Sequence, residues 1–282
     1  MNFLKSSWLV IVATVVMVTL YWLRPGGISG PEAAPVPPPE VGFDHSAWTT
    51  VLQRVVAEDG TVDYKALAGA RGDLDRYLGM IRGTSPASAP HRFKTDKARL
   101  AYYINAYNAF VLAGVLESCP LNSVQDAYFS GGFFWRVGYA MGDSKVTLDT
   151  VEQELIREVF RHNGAIHFVL SKAAKGSAPL ERTAFSEEDV LDRLEQAATR
   201  ITADERYVRR EGDTLHLSQL FEWYKGDLGD PIAYIKKYNA KVVEGSPSVK
   251  FVPVDWSLNG VCPERRPCQS TPSAHPLRPP TA

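Results

Sequence analysis

The sequence predicts an α+β fold: a single helix-rich domain around a buried central helix, with a small mainly antiparallel sheet and hairpins. Three observations carry this. Residues 99–117, RLAYYINAYNAFVLAGVLE, are apolar on almost every face, and a helix hydrophobic all round belongs in the middle of a core. Segments with helical apolar spacing outnumber strand-like runs along the chain. The strand-like runs sit in neighbouring pairs that turn at glycine, as hairpins do, rather than alternating regularly with helices.

Over residues 99–117 a helix runs roughly 28 Å, about the diameter of a small domain. Its length suits a membrane span, but Asn105, Asn108 and its tyrosines need polar partners that lipid does not supply. Asn105 and Asn108 lie three residues apart on one helix face, with Tyr102 a turn earlier. Two readings stand for this trio. The amides pin adjoining loops from within the core, or they form the polar floor of a binding cleft.

The other elements follow in order. Residues 43–58 (Trp48, Leu52, Val55, Val56) and 73–81 (Leu74, Tyr77, Leu78, Ile81) show amphipathic helical spacing. Thr95-Asp96 caps the central helix. Residues 133–148 read as a hairpin turning at Met141-Gly142-Asp143, and 150–160 as a helix with Glu152 near its positive end. Residues 166–170, IHFVL, read as a short buried strand opening onto the small-residue loop 171–180. Helices are expected at 187–198, 218–224 and 231–243, a hairpin at 207–217 and a last strand at 250–254.

The 282 residues carry a net charge of −1, with 45% hydrophobic and 22% charged side chains. Lys and Arg are scattered, so no electrostatic case for nucleic acid arises. Residues 1–25 hold one lysine ahead of an apolar run that ends in Tyr21, Trp22 and Arg24. Interfacial aromatics in place of an A-x-A site favour an uncleaved, single-pass signal-anchor, with cleavage near Ala33-Ala34 as the alternative. Lys5 and the amino terminus place the globular part outside the cytoplasm, which is the periplasm if the cell is Gram-negative. Residues 26–42 read as a Pro/Gly-rich tether apart from the fold, 43–260 as the globular domain and 261–282 as a disordered Pro-rich tail. In an exported chain Cys262 and Cys268, with five residues between them, are expected to form a disulfide, with Cys119 a buried apolar thiol. Neither a metal site nor a cofactor is expected, because Cys and His lack ligand spacing.

The ordered set DGTVDYKAL, AYYINAYNAF, VTLDTVE, IHFVLSKAAKGSAPL, LSQLFEWYKGDL and VPVDWSLN, between residues 43 and 259, resembles the family called domain of unknown function 547. That resemblance implies a shared fold and no established activity. It also implies a C-A-S-x-x-C-P segment after the Ile-His-Phe motif. Here Lys172 stands in place of the first cysteine, Ser177 in place of the second, and Gln153 where a histidine is common.

Two functional classes remain. In one, a hydrolase or transferase uses His167 as base with Glu152 or another carboxylate (Asp149, Asp227) and a serine, Ser177 or Ser171, as nucleophile. In the other, which is preferred, a membrane-tethered binding or scaffold module keeps the fold after losing its thiols. Its ligand is an unidentified protein or small molecule, and Tyr102, Asn105, Asn108, Lys175, Asp255 and Asn259 are the candidate binding residues. His167 is equally readable as a satisfied histidine of a buried strand.

Overall fold

In the computed structural model, which describes residues 26–37, 42–128, 131–161 and 163–264, a 23-residue helix, Asp96–Ser118, passes through the middle of the protein. The Thr95 hydroxyl accepts from the Ala98 N–H and closes its first turn. Every residue from Leu100 to Val115 is buried, so the all-round apolar sequence has a core on all sides. Among the described residues no helix is long and apolar enough to cross a membrane. The apolar run at 1–25 and residues 265–282 of the tail lie outside the described residues.

Helices Ser46–Val55 and Arg71–Gly83 pack on each other, and the second also on the central helix. Trp48 and Tyr77 stack at the first contact, with ring centroids 5.5 Å apart. The short helix Tyr64–Gly69 starts where the Asp63 carboxylate accepts from the Ala66 N–H. Val190–Ala203 and Pro231–Tyr238 complete the larger helices.

Both expected hairpins form: Val137–Met141 (β2) with Ser144–Val146 (β3), and Val208–Glu211 (β4) with Thr214–Ser218 (β5). The expected α+β class holds, with the strands in two small sheets rather than one. Each hairpin takes a third strand in parallel, giving two mixed sheets. Ser248–Val252 (β6) pairs with β5 from Thr214↔Ser248 to Ser218↔Val252. Ile28–Ser29 (β1) pairs with β2 through Ile28↔Val137 and Ser29↔Gly138. Val36 donates on to Gly79, so residues 28–36 are stitched to the domain rather than held apart from it. Gly114 of the central helix lets β2 approach: a Cβ there would lie 2.4 Å from the Tyr139 hydroxyl.

The disulfide joins Cys119 to Cys262, not Cys262 to Cys268. Cys119 caps the end of the central helix. The C-terminal strap crosses that end through Leu258 N–H to Asn122 O, the Ser123–Ser257 bridge and the Val62–Gly260 bridge. These contacts bring two cysteines 143 residues apart in sequence to a Cα separation of 5.6 Å, inside the range a disulfide spans. Local spacing could not reveal a partner so distant. Cys268 lies outside the described residues.

The Tyr102, Asn105 and Asn108 face is a set of core pins rather than a ligand floor. Asn105 donates to Phe185 O at 2.8 Å and accepts from Phe185 N–H at 2.9 Å. Asn108 donates to Val169 O and accepts from Ser171 N–H, both at 3.0 Å. Tyr102 donates to Thr84 O at 2.8 Å. Replacing Asn108 with Leu strands two loop groups, each costing about 1–3 kcal/mol. Chemical denaturation is expected to show a loss in that range or above; an unchanged midpoint would remove the pin.

Candidate functional site

The site is assembled where a distorted helix meets a loop. Thr147 caps the turn Leu148–Thr150, and the chain then widens into a π turn, Val151–Ile156, before the closing turn Arg157–Val159. A π turn inserts an extra residue and shifts the phase of the side chains, and such turns gather at functional sites. Here it coincides with a carboxylate, Glu152, that is 4% exposed.

The segment 166–170 is a 3-10 helix, Gly164–Phe168, rather than a strand. Asn163 accepts from Ala165 N–H and starts the turn. Among the described residues no strand pairs with it, and it packs against the helices Val190–Ala203 and Lys225–Leu228 instead. Gly164 is required by close approach: a Cβ would meet Leu228 Cδ2 at 2.3 Å. The turn leaves His167 fully buried in its side chain.

Both nitrogens of His167 face carboxylates: Nδ1 lies 3.3 Å from Glu152 Oε1, and Nε2 lies 2.9 Å from Asp227 Oδ2. Tyr224 stacks on the ring with centroids 3.5 Å apart and donates its hydroxyl to Glu152 Oε1 at 2.7 Å. The Lys172 ammonium donates to Glu152 Oε2 at 2.6 Å and lies over the rings of Tyr107, Phe134 and Tyr224 at 5.5–5.8 Å. Arg157 donates to Asp227 Oδ1 at 3.0 Å and to Gln153 Oε1 at 2.8 Å.

Burial by itself would raise the Glu152 carboxyl, but Lys172 and the His167 contact outweigh it and hold the group below the carboxylate range. Burial would likewise lower Lys172; the Glu152 charge reverses that and raises it well above its ordinary value. Asp227 is lowered by His167 and Arg157 against its burial. Burial and the Glu152 charge raise Asp149. The floor is therefore a locked network of charges.

Above it opens a cleft of about 380 Å³, lined by Phe134, Trp223, Tyr224 and Trp256 on the aromatic side and by Asp149, Gln153, Arg157 and Asp227 on the polar side. Of the sequence-derived catalytic set, His167 and Glu152 meet here and Ser177 does not. The Ser177 hydroxyl donates to Ala174 O at 2.8 Å and accepts from Lys172 N–H at 3.1 Å, fixing the loop turn. The Ser177 hydroxyl thus bonds within its own loop, while both ring nitrogens of His167 face carboxylates. Ser177 instead lines a separate groove of about 640 Å³ together with Lys175, Asp255 and Asn259. Asn259 accepts from the Tyr64 hydroxyl there, and Asp255 from Ser257 N–H.

Sequence reasoning missed Lys172 as an active member of the network, having met it only as a missing cysteine. A lysine inside a small-residue loop that follows an apolar run was the available signal, since such a cation needs a buried anion. Trp223, Trp256 and Arg157 carried no local signal, because their convergence spans some hundred residues of chain.

Residues 91–200 match the model of the family described as "Protein of unknown function, DUF547". The match includes the central helix and Tyr107, Glu152, His167 and Lys172; Tyr224, Asp227 and both cleft tryptophans fall outside it. No curated protein matches the chain, and no solved structure does.

Lys172→Met leaves the Glu152 carboxylate buried without its cation, which costs about 3–5 kcal/mol. Because the folded Glu152 pKa is depressed, its stabilisation is full above the unfolded value of 4.5 and is lost as pH falls toward the folded value. Without Lys172, burial dominates and this dependence weakens or reverses. Lys172→Met combined with Glu152→Gln is expected to recover much of the loss. Urea titrations from pH 3 to 7 check both; a Lys172→Met protein as stable as the parent refutes the pairing.

Proposed function

We propose that the domain is a binding module, held outside the cytoplasm by the apolar segment at residues 1–25, that takes a ligand into the aromatic cleft above Glu152. One observation carries this reading. The histidine, lysine and serine that could act as base or nucleophile are already engaged: His167 by two carboxylates, Lys172 by Glu152, and Ser177, in the other groove, by its own loop. A general base or nucleophile needs a free lone pair within reach of the substrate. The rim, by contrast, is open, with Trp223 44% exposed. Exposed aromatics beside fixed polar groups are characteristic of recognition sites.

A second reading, a hydrolase or transferase built on His167, draws on the position of Glu152 at Nδ1, where an orienting carboxylate stands in acid–base sites. It requires Asp227 to leave Nε2 so that the ring can meet a substrate.

Two measurements test these statements. Full-length protein is expected to remain in carbonate-washed membranes with an intact mass that includes residues 1–25; a mature chain beginning near Ala34 removes the anchor. Fluorogenic ester, phosphomonoester, glycoside and peptide substrates are expected to show no turnover above that of His167→Gln. Turnover that His167→Gln lowers by orders of magnitude while the fold survives would establish the enzyme instead.

A further inference from the structure

We infer that the ligand of this cleft is a saccharide, an inference that rests on the binding-module reading and specifies its chemistry. The argument begins with the aromatic wall. Trp223 and Trp256 lie 30° from parallel with ring centroids 6.0 Å apart, and Phe134 meets Trp256 at 6.2 Å. Rings that close together leave no slot for a ligand between them. They make a continuous platform, and the exposed Trp223 face is free to stack on the C–H face of a pyranose ring, burying apolar surface on both.

The polar side of the cleft decides between ligand classes. Gln153, Arg157 and Asp227 are fixed to one another by hydrogen bonds of 2.8 and 3.0 Å, and Asp149 is exposed at the rim. An anion entering here meets Asp149 and Asp227, and a cation meets Arg157. The Lys172 ammonium already occupies the aromatic cage of Tyr107, Phe134 and Tyr224, so the cation–π position of the site is filled. A hydroxyl donates to carboxylates and accepts from a guanidinium, so a polyhydroxylated ring satisfies donors and acceptors of both signs at once. Planar side chains held in place by each other match vicinal hydroxyls at little further ordering cost. The cleft volume of about 380 Å³ stands at the small end of ligand sites, which suits one or two sugar rings of a longer chain.

The test uses the full-length chain in a detergent without a sugar headgroup. Tryptophan fluorescence and calorimetry follow titration with chitotriose, cellotriose, maltotriose and mannotriose, and separately with tetramethylammonium, inorganic phosphate and an alanine tripeptide. At least one trisaccharide is expected to bind saturably, with affinity falling about tenfold or more in Trp223→Ala and less in Asp149→Asn. Because Trp223 is exposed, its variant is expected to keep the parent unfolding midpoint. Binding of tetramethylammonium, phosphate or tripeptide that depends on Trp223, with no trisaccharide bound, overturns the saccharide and leaves a binding module. Absence of binding by every probe also overturns it. If His167-dependent turnover accompanies that absence, the binding module falls as well.

Discussion

Two asparagine side chains buried in the central helix govern where the loops of this protein lie. Asn108 holds both a carbonyl and an N–H of residues 169–171, and Asn105 does the same at Phe185. Each amide donates one hydrogen bond and accepts one, both with a chain segment that has no sheet or helix to satisfy those groups. The helix thus substitutes for secondary structure at residues 169–171 and at Phe185. His167 lies just before the first pin and Lys172 just after it, so the geometry of the candidate site is set by a side chain that never touches the cleft.

The charge network built on that frame is energetically demanding. Glu152, Lys172 and Asp227 are all drawn out of water, and a buried ion pair recovers its desolvation cost only when the geometry is good and the remaining lone pairs are filled. Here Glu152 receives Lys172 and Tyr224 and faces His167, while Asp227 receives Arg157 and faces the other ring nitrogen. A hydrophobic core of similar volume would cost less. The arrangement instead gives a rigid floor with fixed positions for Tyr224 and Lys172, which in turn fix the aromatic side of the cleft.

Both ends of the described chain help to close the structure. The strand Ile28–Ser29 adds to one hairpin in parallel, and the strap after β6 crosses the end of the central helix, where Cys262 meets Cys119. Parallel partners from distant parts of the chain turn two local hairpins into mixed sheets.

Elements with local signals were legible in the sequence: the central helix from its unbroken apolar run, its Thr95 cap, the two hairpins from their glycine turns, and His167 with Glu152 as candidate companions. The rest emerged from packing. The Cys119–Cys262 bond, the parallel third strands, the collapse of 166–170 into a 3-10 turn and the replacement of Ser177 by Lys172 and Asp227 at the site all depend on residues far apart in sequence. Periodicity and capping report on backbone neighbours within a few positions. A buried charge or a cysteine finds its partner through the shape of the core, and that shape exists only after the chain has packed.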